Sequence, residues 1–246
     1  HGGTYATSKI LWAEKHELKI ADKFLSWGWK NNNKKIIKFG LLKPLDIKKN
    51  ISERKKLLII LGKRMDRASH LDSSTVTQTH SSYWNWTSSY LANLSVLAKK
   101  NIILRLPKNA ESPKKEDYTG RALNKYIFFN NSNIQKAYKN SCLITHTVNS
   151  TSICETMSEN IPTIILFNKN IDLIRPEAKK IFKKLRENNI FFDHEKKAAK
   201  FTNLIYKNGI NKWWLNNKTQ KAVKMYCNYF ALKKPNIINR LFKLLK

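Results

Sequence analysis

From residue 57 onward, short apolar runs alternate with stretches long enough to form helices, and this pattern constrains the fold most strongly. Each run is continuously apolar, which is typical of a strand that is buried on both faces of a parallel sheet. The runs are LLIIL (Leu57–Leu61), NIILRL (Asn101–Leu106), KYIFF (Lys125–Phe129), SCLIT (Ser141–Thr145) and PTIILF (Pro162–Phe167). Strands that alternate with helices predict βαβ units, and therefore an α/β fold with a doubly wound parallel sheet.

The helices are predicted from apolar residues at helical spacing. They are Tyr83–Lys99, Ile134–Lys139, Ser152–Asn160, Glu177–Asn188, Glu195–Lys207, Lys218–Ala231 and Ile237–Leu245. The segment Asp66–Ser82 is rich in Ser, Thr and His and is predicted to be a long loop. Residues 1–50 lack the alternating pattern, and Asn, Lys and Pro44 after Lys30 indicate a connection. We therefore expect the sheet domain to occupy residues 51–246.

The composition indicates a folded protein and the kinds of partner that it attracts, but it does not indicate a particular activity. Of 246 residues, 41% are hydrophobic, which is enough for a substantial core. The formal net charge of +30 is typical of proteins that bind nucleic acid or anionic membranes. Because lysine is spread over nearly every segment, together with abundant Asn and Ile, biased residue usage explains the charge better than a dedicated polyanion site. A uniform positive field still favours anionic substrates such as nucleotide diphosphates.

The cysteines and the apolar runs bear on the cellular compartment. Cys142, Cys154 and Cys227 are an odd number and lie far apart, so they predict neither a disulfide framework nor a zinc motif. No apolar run approaches the ~20 residues that cross a bilayer. We therefore expect a reducing cytoplasm, with peripheral contact to the inner membrane as an addition. The chain begins with His1, and we expect it to be a piece of a longer protein.

The segment Leu143–Phe167 carries the clearest chemical signal. A buried strand ends near Thr145, a run of hydroxyl and amide residues follows, and a helix then begins. Helix N-termini present unpaired N–H groups and a partial positive charge, so they bind phosphate. The alternative is structural, because Ser152 and Glu155 have the S-x-x-E spacing of a capping box. Both interpretations stay open if Ser152 caps the helix while Thr151 faces a ligand.

Four segments resemble a family of transferases encoded in lipopolysaccharide and surface-polysaccharide loci. This family is distantly similar to CDP-glycerol glycerophosphotransferases and to capsule sugar transferases. The shared segments are HGGTY at His1, HELKIADKFLSWGW (His16–Trp29), TVNSTSICET (Thr147–Thr156) with NIPTI (Asn160–Ile164), and KWWLNNKTQKAVKMYCNYFA (Lys212–Ala231). The resemblance covers almost the whole chain, and the second and third segments are too long to match by chance.

The resemblance implies a GT-B-like fold of which this chain forms the C-terminal, Rossmann-like half. Residues 1–50 would be a remnant of the N-terminal domain with an interdomain linker, and residues 51–246 the nucleotide-sugar-binding domain. It implies catalytic roles for His1, His16, Glu17 and Asp22, and donor or phosphate contacts by Gly2, Gly3, Arg105, Thr147, Asn149, Thr151, Ser152 and Glu155. The chain departs from the family after Arg105, where Pro107-Lys108-Asn109 replaces an aromatic residue followed by an acid or histidine.

Each of these roles has a structural alternative. His1 is also the terminal residue of this chain, and the segment from His16 to Asp22 is equally consistent with packing at an interdomain hinge. Arg105 ends an apolar strand, where a charge requires a partner such as Glu155. Glu155 is also suited to accept hydrogen bonds from ribose hydroxyls. His146 is predicted to be a hydrogen-bonded bystander, and the Trp213-Trp214 pair to be packing residues.

Two functions follow from the sequence. The first is transfer of a sugar or phospho-polyol from a nucleotide-activated donor to a glycan or lipid-linked acceptor, with no metal, no other cofactor and no specific nucleic acid. The alternative is a basic protein that binds nucleic acid or an anionic membrane without catalysis. In that case aromatic residues would stack on bases, and the basic, amphipathic C-terminal segment would lie on lipid. The stacking residues would be Tyr126, Phe128, Phe129, Trp213 and Trp214.

Overall fold

The computed structural model describes residues 4–9, 11–42, 55–62, 77–106, 126–128, 133–167 and 174–245. The strands in these ranges are β1 (Phe24–Ser26), β2 (Ile36–Lys38), β3 (Lys56–Ile60), β4 (Ile102–Arg105), β5 (Ile127–Phe128), β6 (Ser141–His146), β7 (Thr163–Leu166) and β8 (Phe191–Phe192). The helices are α1 (Trp12–Ile20), α2 (Thr77–Ala92), α3 (Val96–Lys99), α4 (Ile134–Lys139), α5 (Thr151–Ser158), α6 (Pro176–Glu187), α7 (Glu195–Asn208), α8 (Ile210–Trp214), α9 (Asn217–Phe230) and α10 (Ile237–Leu245). Among the described helices, none has the length and apolar character needed to cross a membrane.

Strands β3 to β8 form a six-stranded sheet in the order β5-β4-β3-β6-β7-β8, and every pairing is parallel. Numbered within this sheet, the order is 3-2-1-4-5-6, which is the Rossmann arrangement. The order reverses between the two central strands, where Ile60 of β3 pairs with His146 of β6. This confirms the predicted doubly wound α/β fold and fixes the topological switch point, where such sheets bind their ligands.

The continuous apolar character of the central strand follows from burial on both faces. Leu57 and Ile59 belong to the hydrophobic cluster that contains Tyr90 of α2 and Ala198 of α7. The alternate residues of β3, Leu58 among them, pack instead with residues of α4 on the other face. A strand enclosed in this way has no polar face, so its sequence shows no alternation.

Residues of the first segment pack against the C-terminal helices. Strands β1 and β2 form a small parallel pair, and Trp29 lies in the same hydrophobic cluster as Phe230 of α9. The backbone of Leu232 donates to the carbonyl of Trp27 at 2.7 Å. Gly28 makes this contact possible, because it has a φ of +146° and a Cβ there would lie 2.8 Å from the carbonyl oxygen of Asn228. The division proposed at residue 50 falls among residues 43–54, outside the described part, and stays a prediction.

Several elements differ from the expectation. Thr77–Ser82 was predicted to be loop but belongs to α2, and the helix predicted over Tyr83–Lys99 is divided after Ala92. Ser95 interrupts it, since its hydroxyl caps α3 by accepting from the amide of Ala98 and its own N–H donates to Asn203. Strands β1, β2 and β8 were missed because two or three residues are too short to show a period.

Candidate functional site

The switch point is closed by a network of buried hydrogen bonds. The amide of Gly62, just beyond β3, donates to the phenol oxygen of Tyr83 at 2.6 Å. The hydroxyl of Thr147 donates to the carbonyl of Ile60 at 2.9 Å, so Tyr83 must be the donor in its 2.6 Å bond to Thr147. Burial raises the pKa of Tyr83, which keeps the phenol protonated and able to donate. Thr147 thus joins β3 to the loop that follows β6. For its predicted contact with the nucleotide-activated substrate, the Thr147 hydroxyl would have to give up its bond to Ile60 or to Tyr83.

Helix α5 begins directly after this loop without a side-chain cap. The N-cap residue is Ser150, whose backbone is extended and whose side chain forms no cap hydrogen bond. The predicted capping box of Ser152 and Glu155 is therefore wrong. Ser152 is the second helical residue, and its hydroxyl lies 3.0 Å from Nδ1 of His146 and 2.6 Å from the hydroxyl of Ser150. Backbone amides at a helix N-terminus, together with the helix dipole, are groups that bind anions.

The buried ring of His146 fixes the orientation of the Ser152 side chain by a hydrogen bond. Its Nε2 lies 3.0 Å from the hydroxyl of Thr156, which donates to the carbonyl of Ile153 at 3.3 Å. Thr156 therefore accepts from Nε2–H, which leaves Nδ1 to accept from Ser152. Burial lowers the pKa of His146 to about 3, so the ring is neutral at physiological pH. The sequence predicted a hydrogen-bonded bystander, but nothing in it indicated the link to Ser152.

Three polar side chains meet beside α5. Arg105 lies at the end of β4 and is 7% exposed. Burial lowers its pKa, and the neighbouring Tyr138 and Glu155 raise it. The phenol of Tyr138 donates to Oε2 of Glu155 at 2.9 Å. Glu155, on the helix that carries Thr151 and Ser152, is thus near enough to Arg105 to affect its pKa, and the predicted salt bridge between them stays a prediction.

A cleft of about 390 Å³ separates this helix from the N-terminal segment. Thr151, Glu155 and Ser158 form one wall, because their spacing of four and three residues places them on one face of α5. Glu17 lies in the opposite wall and accepts a hydrogen bond from the phenol of Tyr5 at 2.9 Å. The rest of that wall is mostly apolar and includes Phe24, Leu25 and Trp27. The fold therefore brings together three of the predicted residues, Glu17, Thr151 and Glu155.

The N-terminal segment is held in place by contacts that the sequence did not reveal. The side-chain amide of Asn149 donates to the hydroxyl of Thr7 at 2.7 Å. This bond connects residues 4–8 to the loop before α5. Arg175 forms two bonds to Glu14, of 2.7 and 2.9 Å, and Glu14 also accepts from the amide of Ala6. Glu14 is only 2% exposed, so this ion pair is largely removed from water. Asn149 is thus engaged with the protein itself, and its predicted donor contact stays a prediction.

The remaining predicted residues lie elsewhere. His16 is exposed on α1 and Asp22 is exposed in the loop after it, and neither borders the cleft. His1, Gly2 and Gly3 lie outside the described residues. The roles assigned to these five stay predictions. In the part of the chain that the structure describes, no group of three or more His, Cys, Asp and Glu side chains is placed to hold a metal ion.

The aromatic residues proposed to stack on bases are mostly packing residues. Trp214 is fully buried and donates from Nε1 to the carbonyl of Asn160, and Trp213 donates to the carbonyl of Asn188. Tyr126 is 8% exposed. The prediction of packing for Trp213 and Trp214 is confirmed: Trp214 is buried and Trp213 is half-buried against the core. The side chains of Phe128 and Phe129 lie outside the described part of the chain.

The chain is similar to known proteins both in sequence and in structure. The model of the LIC12162 family transferase matches residues 1–245. No curated protein gave a match. The wall teichoic acid polymerase TagF is similar in structure, with 12% identity over 95% of this chain and a TM-score of 0.45. A single-residue variant of that polymerase gives 13% identity over 95% and a TM-score of 0.43. The chain spans 59% of the length of either structure, and likeness at this level shows no shared activity.

Proposed function

Because the chain belongs to the LIC12162 family of transferases, we propose that it transfers a sugar or a phospho-polyol from a nucleotide-activated donor to a bacterial surface-glycan precursor. The observation that carries the proposal is the N-terminus of α5, where Ser150 forms no side-chain cap and Thr151 borders a cleft at the carboxyl edge of a Rossmann-type sheet. A lipid-linked precursor as acceptor would place the reaction at the cytoplasmic face of the inner membrane.

The donor's phosphates are assigned to the first turn of α5. The amides of that turn carry the positive end of the helix dipole, and Thr151 is exposed at its first position. Arg105 adds a positive charge at the end of β4, near Glu155 on the same helix. Ser152 acts through its bond to His146, which holds the first turn in one orientation.

The cleft suits the uncharged, hydroxyl-bearing part of the donor. The carboxyl oxygens of Glu17 and Glu155 are suited to accept hydrogen bonds from hydroxyls. Their tyrosine partners, Tyr5 and Tyr138, hold them in fixed positions. The apolar side chains opposite, Trp27 among them, favour burial of a ribose, sugar or base ring. Phosphate binding at the helix end and hydroxyl binding in the cleft together describe a nucleotide-activated donor.

The reaction would be a direct displacement at the donor carbon, or at phosphorus for a phospho-polyol. Charge that develops on the leaving phosphate would be stabilised by the α5 amides and by Arg105, in positions fixed before reaction. This arrangement needs no metal ion, which stays a prediction. Among the residues predicted to be catalytic, Glu17 borders the cleft, whereas His1 is assigned by resemblance alone.

Calorimetric titration of the purified chain with CMP, CDP, UDP and GDP tests the proposal. We expect saturable binding of one nucleotide, and a loss of about tenfold or more in Thr151→Ala and Arg105→Ala, since hydrogen bonds to charged groups contribute about 1.5–3 kcal/mol. Ser152→Ala should also weaken binding, because it removes the bond to His146 that orients the first turn. Asn217→Ala is the matched control, because Asn217 is exposed at the first position of α9 as Thr151 is of α5.

Two results would contradict the proposal in different ways. If all three variants bind the nucleotide as tightly as the parent chain, the assignment of phosphate binding to the first turn of α5 and Arg105 is wrong. A parent chain that binds none of the nucleotides, but binds RNA tightly and with strong salt dependence, would favour the nucleic-acid-binding alternative.

A further inference from the structure

Helix α10 (Ile237–Leu245) has an apolar side that is wider than its contact with the protein. Ile237 is buried, and Leu241 and Leu244 are half-buried. Ile238 and Phe242 are 51% and 62% exposed. These two residues are four apart and therefore form one stripe along the helix. The stripe continues the apolar side beyond the edge of the packed surface into solvent.

The surroundings of this stripe are strongly basic. Residues 233–246, KKPNIINRLFKLLK, contain no acidic residue. Arg240 and Lys243 are exposed on α10 itself. Lys234 donates to the carbonyl of Lys38 at 3.2 Å. The pKa of Lys234 is lowered by burial and by the positive charges of Arg240 and Lys38, which places these three cations close together.

A short helix with exposed apolar residues and basic neighbours has the properties of an interfacial helix. Its apolar residues enter the boundary between lipid headgroups and acyl chains, while lysine and arginine contact the headgroup phosphates. Nucleic acid would satisfy the cations but would leave Ile238 in water, since an aliphatic side chain offers no stacking surface. The combination therefore favours a lipid surface over a nucleic acid.

We infer that α10 docks the chain on an anionic lipid bilayer, with the helix in the plane of the membrane. Ile238 and Phe242 enter the interface, while Arg240 and Lys243, with Lys234 beside them, bind lipid phosphates. The excess charge of +30 attracts the chain to such a surface over a longer range. This inference is independent of the proposed function, because it rests on none of the residues at α5 or in the cleft.

Co-sedimentation of the whole chain with vesicles tests the inference. We expect binding to vesicles of mixed phosphatidylglycerol and phosphatidylcholine, and little binding to phosphatidylcholine alone. Ile238→Ser and Phe242→Ser should each lower partitioning about fivefold to tenfold, since each removes apolar area from the interface. The matched controls are Leu204→Ser and Leu215→Ser, whose parent side chains are 53% and 55% exposed on other parts of the surface.

A second pair of variants separates the helix from the overall charge. Arg240→Glu with Lys243→Glu changes the net charge by the same amount as Lys196→Glu with Lys200→Glu, which are exposed on α7. We expect the α10 pair to abolish vesicle binding and the α7 pair to leave most of it. Equal losses in both pairs would show that net charge alone attracts the chain to lipid, which would overturn the inference.

Three further results would also overturn it. These are the absence of binding to anionic vesicles, binding that survives Ile238→Ser and Phe242→Ser, and a concentration-dependent dimer that Phe242→Ser disrupts. The last result would identify a second copy of the chain as the partner of this face.

Discussion

His146 illustrates how one buried side chain determines the geometry of the first turn of α5. Its two ring nitrogens serve two hydroxyls, with Thr156 accepting and Ser152 donating. The direction of these bonds follows from the hydroxyl of Thr156, which is already a donor to Ile153. A charged imidazole would donate from both nitrogens and would reverse the bond to Ser152. The arrangement therefore depends on the ring staying neutral.

We predict that His146 makes the stability of the protein dependent on pH in the acidic range. The unfolded residue binds a proton below its ordinary pKa of 6.5, whereas the folded one does so only near pH 3. The stability that the neutral ring confers is thus complete above pH 6.5 and is lost as the pH falls toward 3. The expected slope from this residue is about 1.4 kcal/mol per pH unit.

The free energy of unfolding, measured by urea denaturation at several pH values between about 4 and 8, checks this expectation. His146→Gln keeps a donor and an acceptor but does not titrate, so its free energy of unfolding should fall less steeply with acid than that of the parent. His194→Gln is the control, because His194 has a side chain that is 51% exposed. An identical slope in the parent and His146→Gln would contradict the role assigned to the buried ring.

At the scale of elements, the ion pair of Glu14 and Arg175 joins parts of the chain that are distant in sequence. Glu14 lies on α1, and Arg175 immediately precedes α6. The same arginine donates from its backbone to Thr7 and from its side chain to the carbonyl of Ser8. Helix α1 and residues 4–8 are therefore fixed against α6, next to the wall of the cleft that contains Glu17.

We predict that Glu14→Gln destabilises the protein by about 3–5 kcal/mol, because removal of one partner leaves the other charge largely buried and unpaired. The midpoint of urea denaturation measures the loss. Glu187→Gln is the matched control, since it breaks a pair with Lys184 in which both side chains are 46% exposed, and no measurable change is expected there. A midpoint for Glu14→Gln that equals that of the control would contradict the structural role of the pair.

The accuracy of the sequence-based assignments differed among the elements for physical reasons. The central strands were predicted correctly because burial on both faces produces an unbroken apolar run, as in β3 and β7. The start of α2 was missed because Ser and Thr favour loops locally, while Tyr83 and Tyr90 make buried contacts that hold the segment helical. Strand β8 has only two residues, and its pairing with β7 is visible only in the folded chain.

At the scale of the whole molecule, periodicity predicted the sheet, and motif resemblance predicted the family. The cleft could not be predicted from spacing, because it forms where Glu17 and Glu155 approach across two distant segments. The partners of Glu14, Ser152 and Thr147 were equally hidden, since tertiary contacts decide which hydroxyls and carboxylates face the protein itself. The sequence thus indicated the segment that bears the site but not which of its side chains are available to a ligand.

The central claim is that a nucleotide's phosphates bind at the N-terminus of α5. A crystal structure of the chain soaked with the nucleotide that binds in calorimetry tests this claim most directly. We predict phosphate oxygens within about 3 Å of the backbone nitrogens of Thr151 and Ser152, with the ribose in the cleft between Glu17 and Glu155. A nucleotide bound elsewhere, with this helix end unoccupied, would contradict the account.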